Sequence, residues 1–558
     1  MKCPKCNSEL VIKSYKSIEV EYCNKCRGVW VDFDELNRLD EVLALLPIEL
    51  EWPIGQRHML KEDELLLAQL YESVDQFNTD RPIKKLRIKN ELLGGFGGAH
   101  ILVVVPVERD GTPDGKNQTP RVVKIGPRSM LEAERNNYSV FVKQFLVTAV
   151  AQQTRFAVRG TRAAIEYIFV GGGMLEPVSD LNSYYKKHTA NEIVEVINAL
   201  VLHLGEYWYS KPSELGEHTY VEYAGNLPPS LELKIRDESD DCVWVQGDIE
   251  PPSSVEYNSC DLNEISASKK LEANKTAVKI HELRVVRVKP WAATLESTEA
   301  KHIKVRLVYN RDSRMDEKLQ ISQCINVRGQ VISTRDDFLE TIVKTAFNCS
   351  VEDAVASLNK DIYPNPLKLY SDLLNTWLVG YRTTIHGDLH PRNILVDSHQ
   401  LPWLIDFGRV REGHTLFDFI KLETYIRLDI VSDAPDLTSV DYITFEEKLA
   451  KAMWHEDSIN TFRPKTVLHK AFHVISAIRE MARRFHPLVE ISFSVTYSRC
   501  LMLYNLSVLK YARGAAYNEV GEQERERQLR FARHCFITSA VQARWLENPP
   551  MRKLPKIR

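Results

Sequence analysis

The sequence predicts an α+β chain of several domains, and three observations predict it. Two CxxC pairs fall within the first 26 residues, short β-type runs fill residues 81–172, and helical periodicity dominates beyond about residue 440. At 558 residues the chain exceeds what one hydrophobic core organises, so more than one domain is expected. Hydrophobic residues at 44% and charged residues at 27% are ordinary for a folded, soluble chain. A formal net charge of −3 excludes a molecule that holds nucleic acid through its overall charge. The start MKCPKC carries no apolar signal region, and no apolar run approaches the ~20 residues that span a bilayer. A cytoplasmic location without a membrane partner is expected.

Taken in order, residues 1–40 hold Cys3, Cys6, Cys23 and Cys26, while the other six cysteines are scattered singly. A CxxC turn presents two thiolates on one side of a tight loop. Two such loops joined by a hairpin give the tetrahedral four-sulfur site that Zn²⁺ accepts. The intervening ELVIKSYKSIEVEYC alternates as a hairpin should. Lys2, Lys5, Lys13, Lys16, Lys25 and Arg27 are nearly balanced by acidic neighbours. Structural or protein-docking use is therefore expected ahead of nucleic-acid binding. Residues 41–80 read as a helical linker, with Trp52, Pro53 and Gly55 as punctuation between two helical patterns.

Residues 81–172 carry LRIKNELLGG, AHILVVVPV, RVVKIG and AAIEYIFV as strands, with a helix after RVVKIG. The glycine-rich turn LLGGFGG offers backbone N–H groups that suit phosphate oxygens. Lys124 lies inside an apolar strand, where an ammonium is costly unless paired. Residues 173–210 read as a hinge and an amphipathic helix, and 211–360 as an inserted β-rich module. Residues 361–545 form a second, helix-rich lobe, and 546–558 are a basic tail.

The most informative segment is IHGDLHPRNILVD at 385–397, followed by LIDFG at 404–408. Phosphoryl transfer needs a carboxylate to take the acceptor hydroxyl proton, a role that Asp388 fits. It also needs oxygen ligands for Mg²⁺, which Asn393 and Asp406 supply. The run ILV and the turn at Asp397–Ser398–His399 predict a hairpin that returns Asp406 beside Asn393.

HGDLHPRNIL resembles the catalytic loop of the aminoglycoside phosphotransferase and choline kinase group. The resemblance implies a bilobal protein-kinase-like fold over roughly residues 83–210 and 360–545. Gly387 stands where protein kinases carry arginine, and His390 where they place a lysine. Only eleven residues separate Asp406 from Asp418, with no Ala-Pro-Glu motif, so an acceptor that is a small molecule rather than a protein is expected. The resemblance further implies that Lys124 orients the nucleotide phosphates and pairs with Glu134 or Glu132. It implies that Gly95, Gly97 and Gly98 cover the phosphates, that Tyr167, Ile168 and Val170 hold the purine, and that Asp418 braces the catalytic loop.

GHTLFDFIKLE and LMLYNLSVLKYARG resemble bacterial phosphotransferase-type domains associated with ternary-complex conflict systems. CPKC…YCNKCRGVWVDFDEL, with Trp30, Asp32, Glu35 and Leu36, resembles zinc ribbons of the transcription-factor type. The function implied is transfer of the γ-phosphoryl group of ATP or GTP to a hydroxyl, with Mg²⁺ and a structural Zn²⁺. The alternative is a nucleotide-binding regulatory or scaffold protein of a conflict or signalling system, motivated by the ribbon and the insertion.

Overall fold

The computed structural model describes residues 2–4, 6–15, 18–25, 29–30, 48–53, 59–72, 83–92, 99–108, 115–143, 150–168, 178–210, 212–228, 231–235, 242–248, 277–285, 287–289, 303–310, 324–358, 362–431, 434, 436–454, 467–486 and 490–548. Two compact units divide the chain, one of residues 1–132 and 152–175, the other of residues 133–151 and 176–558. No helix among the described residues is long and apolar enough to cross a membrane.

The first unit opens with the cysteine-bearing hairpin: β1 (Val11–Tyr15), β2 (Ile18–Tyr22) and β3 (Val29–Trp30) pair in that order. It continues with a mostly antiparallel sheet. β4 (Glu49–Glu51) lies at one edge, followed by β5 (Ile83–Leu92) and β6 (His100–Glu108), with the short β7 (Lys116–Asn117) paired to β6. β8 (Arg121–Pro127), β10 (Arg162–Ile168) and β9 (Gln153–Arg159) complete the sheet in that spatial order.

Helix α1 (Lys61–Glu72) buries Leu66, Leu67, Leu70 and Tyr71 against Leu86, Leu102, Val104, Val123 and Ile125. This changes the reading of residues 41–80 as a linker. Glu49–Glu51 pair in parallel with Lys85–Arg87, and α1 is part of the core of the sheet unit. Its Asp63, fully buried, receives Arg162 Nε and Nη2 at 2.8 and 2.9 Å. Two of the three acidic residues in its first turn, Asp63 and Glu64, are thus turned inward, and a bidentate guanidinium compensates the Asp63 carboxylate.

The second unit is built mainly of helices. Helix α2 (Arg128–Asn137) leads into it from β8. After it come β11 (Ser179–Asp180), α3 (Leu181–Lys187) and α4 (Ala190–Tyr207). Thr189 caps α4 in a reciprocal box with Glu192, which satisfies N–H groups that a helix start leaves open. β12 (Ser213–Glu214) and β13 (Glu217–His218) pair with β21 (Tyr381–Ile385) and β20 (Trp377–Leu378), and α5 (Thr219–Tyr223) buries Tyr223. Residues 213–226 therefore belong to the helical unit proper rather than to an insertion.

The β module itself is narrower than 211–360. Among the described residues it holds six strands: β14 (Leu231–Ile235), β15 (Cys242–Asp248), β16 (Ala277–Val285), β17 (Arg287–Lys289), β18 (Ile303–Asn310) and β19 (Cys324–Thr334). They are ordered β16-β18-β14-β19-β15-β17. The module ends where Thr334 and Asp337 cap α6 (Arg335–Phe347), which with α7 (Val351–Ser357) packs into the main core.

Helix α8 (Pro366–Leu374) leads into the functional segment, where β22 (Ile394–Val396) and β23 (Pro402–Leu404) form the expected hairpin. Asp397 closes its turn by accepting the N–H groups of His399 and Leu401, each at 2.9 Å. β24 (Arg411–His414) returns along β21 and feeds α9 (Leu416–Ile426). Ten of the eleven residues of α9 are buried, as befits a helix apolar on most faces. Against it pack α11 (Val467–Arg483) and α12 (Glu490–Val508); α10 (Ser439–Trp454) packs on α11, and α13 (Glu522–Glu547) on α12 and α10. The tail from residue 549 lies outside the described residues. The architecture is the α+β class expected: a sheet unit followed by a helical unit.

Candidate active site

The catalytic-type loop leaves β21 through His386 and Gly387. Gly387 has φ +70°, and a Cβ there would meet the Arg409 carbonyl oxygen at 2.3 Å, so both backbone shape and space confine the position to glycine. His386 is buried; its Nε2 donates to the Ile405 carbonyl at 3.0 Å, and its Nδ1 accepts the Asp388 N–H at 3.3 Å. That pattern fixes one neutral tautomer. The histidine thereby ties the start of the loop to the residue preceding Asp406.

Asp418 sits in the first turn of α9 and is fully buried. Its two oxygens accept the N–H groups of His386 at 2.7 Å and Gly387 at 2.9 Å, and Tyr209 donates its hydroxyl at 3.3 Å. Burial pushes this carboxyl up, while His386 and the two N–H groups pull the other way.

Asn393 closes a short turn after Pro391. Its Nδ2 donates to the Asp388 carbonyl at 2.9 Å, which leaves Oδ1 as the amide atom able to face a cation. Its own carbonyl accepts the Ile405 N–H at 3.1 Å. Asp406 is half-buried, with φ 64° and ψ 74°. A non-glycine residue held there costs about 1–3 kcal/mol and persists only where its surroundings impose it. The chain beyond it is fixed by Asn137, whose Nδ2 donates to the Phe407 and Gly408 carbonyls at 3.3 and 3.0 Å. The hairpin, the His386 bridge and the Asn393 bonds thus tie Asp388, Asn393 and Ile405, the residue before Asp406, into one bonded network. Asn393 Oδ1 and the Asp406 carboxylate are hard oxygen donors of the kind Mg²⁺ takes.

Asp388 is half-buried, its side chain 22% exposed. One carboxylate oxygen contacts Lys421 Nζ, and Arg409 Nε stands 3.9 Å from the other. Burial pushes the carboxyl up, but Lys421 and then Arg409 outweigh it and hold the group below the ordinary carboxylate range. Asp388 is therefore anionic at neutral pH.

Neither cation was singled out by sequence. Lys421 lies in α9, three residues after Asp418, so the two occupy neighbouring positions on one helical face. Arg409 follows the DFG tripeptide directly. His390, expected among the catalytic residues, stacks on Tyr425 with centroids 4.9 Å apart, and its Nδ1 accepts the Arg392 N–H at 3.3 Å. Burial lowers its pKa to about 4 in spite of Asp388, so it is a neutral, packed ring at pH 7.

Within the sheet unit, Lys124 is buried at the centre of β8, between Ile101 of β6 and Ile165 of β10. Val123 and Ile125 face the α1 core, so strand alternation places Lys124 on the opposite face. Glu132 is partly exposed and engaged by Arg128 at 2.8 Å, whereas Glu134 is fully buried. Tyr167 is a buried strand residue whose hydroxyl accepts from Gln153 at 3.2 Å. The Ile168 N–H is taken by the Gln152 carbonyl at 2.9 Å and is not open to a purine. Gly95, Gly97, Gly98 and Val170 lie outside the described residues.

Of the four expected zinc ligands, Cys3, Cys6 and Cys23 have sulfur atoms within 4.8 Å of one another, and Cys26 lies outside the described residues. Four sulfurs about 2.3 Å from a tetrahedral zinc lie within about 4 Å of each other, so the three fit such an ion. Hydrogen bonds with Ser8, and then with Cys23, lower the Cys6 pKa to about 6, toward the thiolate that zinc requires.

Comparison with known proteins finds two family models and several solved structures. The family model "Transcription factor zinc-finger" matches residues 2–41. No curated protein matches the chain significantly. Among solved structures, similarity is found to a spectinomycin phosphotransferase in complex with ADP and spectinomycin, at 10% identity and TM-score 0.32, covering 85% of this chain and 98% of that one. The choline kinase LicA from Streptococcus pneumoniae is similar at 9% identity and TM-score 0.27, covering 84% and 97%. A glucosamine kinase is similar at 10% identity and TM-score 0.29, covering 80% and 92%. The family model "Ternary complex associated domain 9" matches residues 84–510, well over half of the sequence, and the chain belongs to that family.

Proposed function

We propose that the protein is a Mg²⁺-dependent phosphotransferase that moves the γ-phosphoryl group of ATP or GTP to a hydroxyl of a small molecule. The observation that carries this reading is the Asp388–Asn393–Asp406 network, braced by His386 and Asp418. In it, Asn393 Oδ1 and the Asp406 carboxylate would hold the metal, which would supply positive charge to the nucleotide phosphates. Lys124, buried in β8, is the residue assigned to orient the α- and β-phosphates. Gly95, Gly97 and Gly98 cover the phosphates, and the segment at Tyr167, Ile168 and Val170 adjoins the purine.

Asp388 accepts a hydrogen bond from the acceptor hydroxyl and aims its lone pair at phosphorus. The acceptor O–P bond forms as the bridging P–O bond to the nucleoside diphosphate breaks, and the hydroxyl proton passes to Asp388 and then to solvent. A carboxylate held below its usual pKa is a weak base. It suits a loose transition state, in which the proton leaves late. Cys3, Cys6, Cys23 and Cys26 would hold a structural Zn²⁺ that joins the two loops of the ribbon.

The test is ATP binding and turnover by the full chain and by Asp388→Asn, with Mg²⁺ and pooled hydroxyl acceptors. Mg²⁺-dependent turnover that falls at least ~10³-fold in the variant supports the proposal. Tight binding by both with no turnover by either points instead to a nucleotide-sensing scaffold.

A further inference from the structure

Asp388 has a fixed cationic partner that its own loop does not supply. His390, two residues on, is turned onto Tyr425 and engaged by the Arg392 N–H. The partner is Lys421, whose side chain is 3% exposed and whose ammonium reaches both the Asp388 carboxylate and, at 3.2 Å, the Gly387 carbonyl. The rings of Phe417 and Tyr425 lie 6.0 and 5.9 Å from it. Burying an ammonium costs several kcal/mol unless its partners are fixed, so this lysine is held to one geometry.

One turn before it, Asp418 takes the N–H of the same Gly387. Both polar groups of Gly387 are thus gripped by residues of one helix. The carboxylate that follows is gripped by the second of them.

We propose that Lys421 is a positioning residue of the transfer reaction, fixing the orientation of the Asp388 carboxylate from helix α9. This role rests on the phosphotransferase reading above. Lys421 is too enclosed to serve as a surface contact for the acceptor, and it acts through Asp388. Arg409, by contrast, is 45% exposed and 3.9 Å away, and its hold on the same carboxylate is correspondingly loose. Without Lys421 the aspartate keeps its place in the chain but loses the contact that selects one rotamer. Displacing a reacting group by ~1 Å costs about 10²-fold in rate.

The experiment compares the full chain with Lys421→Met, Asp388→Asn and the double variant, reading Mg²⁺-ATP turnover to ADP with the same pooled hydroxyl acceptors. Lys421→Met is expected to lower kcat about 10²-fold while KM for Mg²⁺-ATP stays within about twofold. The double variant is expected to be no slower than Asp388→Asn alone, because a residue acting through Asp388 has nothing left to position. Wild-type turnover in Lys421→Met, or losses that multiply in the double variant, overturns the role while leaving the phosphotransferase reading intact. Should the Met variant not fold, Lys421→Gln, which can still donate to the Gly387 carbonyl, carries the same comparison. Absence of Mg²⁺-dependent turnover in the wild type overturns the functional reading and this role with it.

Discussion

Arg427 Nε and Nη2 donate to the two carboxylate oxygens of Glu446 at 2.7 and 3.0 Å, and neither side chain has any solvent exposure. The pair is the centre of a larger buried network. Arg427 Nη1 also donates to Glu423 at 2.8 Å, Arg479 grips the same Glu423 at 2.8 and 2.9 Å, and Tyr497 donates to it at 2.7 Å. His534 Nε2 meets Glu446 at 2.9 Å. Two carboxylates face two guanidiniums, so the charges cancel and five helices (α9 to α13) are tied at one depth. Removing one partner leaves a carboxylate uncompensated in the core, which costs about 3–5 kcal/mol. Arg427→Met is therefore expected to lose about that much in urea-induced unfolding. A loss below 1 kcal/mol would show that the network contributes little to stability.

Because Glu423 lies in the same helix as Asp418 and Lys421, this network also fixes the helix that holds the catalytic-type loop. A variant that loosens it acts on Asp388 without touching it.

Gly387 gives a second, sharper expectation. Gly387→Ala adds a methyl group where φ is +70° and an Arg409 carbonyl oxygen lies 2.3 Å from the new atom. Backbone strain and overlap each cost about 1 kcal/mol or more, and relief requires the loop to move. Unfolding is expected to begin at lower denaturant, and Mg²⁺-ATP turnover to fall more than tenfold, because the loop that shifts carries Asp388. An alanine variant with wild-type stability and turnover would refute the account of this residue.

The legible part of the site was the part written locally. Asp388, Asn393 and Asp406 stand at short spacings around one hairpin, where each residue type has a chemical reason that spacing can expose. Lys421 was hidden because a lysine in a helical pattern reads as a solvated charge, and only the fold turns it inward to Asp388. The same blindness affected residues 41–80. Asp63 and Glu64 look like a helix's acidic, solvent-facing first turn, yet both are buried, Asp63 against Arg162. Periodicity reports where apolar residues go and is silent on charges compensated by distant partners. Residues 213–226 and 335–357, on either side of the β strands, are short segments whose packing partners lie far along the chain, which periodicity does not report.

Stability should also depend on pH through His414. Burial lowers its pKa to about 3, with His486 and Arg411 adding to the effect, and its Nδ1 meets the Tyr223 hydroxyl at 2.9 Å. The unfolded chain binds this proton near pH 6.5, the folded chain only near pH 3, so between those values the unfolded state holds more protons. The contribution is intact above pH 6.5 and is lost as pH falls through that window, at up to about 1.4 kcal/mol per pH unit. His534 is lowered by burial in the same sense. Denaturation midpoints at pH 7.5 and pH 5 are expected to differ less for His414→Gln than for the wild type. Equal differences would remove His414 from the explanation.

The ribbon can be tested independently of any activity. Three thiol sulfurs lie within 4.8 Å of one another with no disulfide among them, although the Cys6 and Cys23 sulfurs are 3.3 Å apart. Thiolates crowded this closely repel one another, and a divalent ion relieves the repulsion by taking their charge. The freshly purified, reduced protein is therefore expected to carry about one zinc per chain. Cys6→Ser with Cys23→Ser removes two ligands at once and is expected to bring the metal content close to zero. Because the cysteine cluster contains none of the residues assigned to phosphoryl transfer, Mg²⁺-ATP turnover should persist in that double variant at more than half the wild-type rate. Metal content near zero in the unaltered, reduced protein would refute the zinc assignment. Turnover that disappears together with the zinc would instead make the ribbon part of the catalytic apparatus, against the separation of roles drawn here.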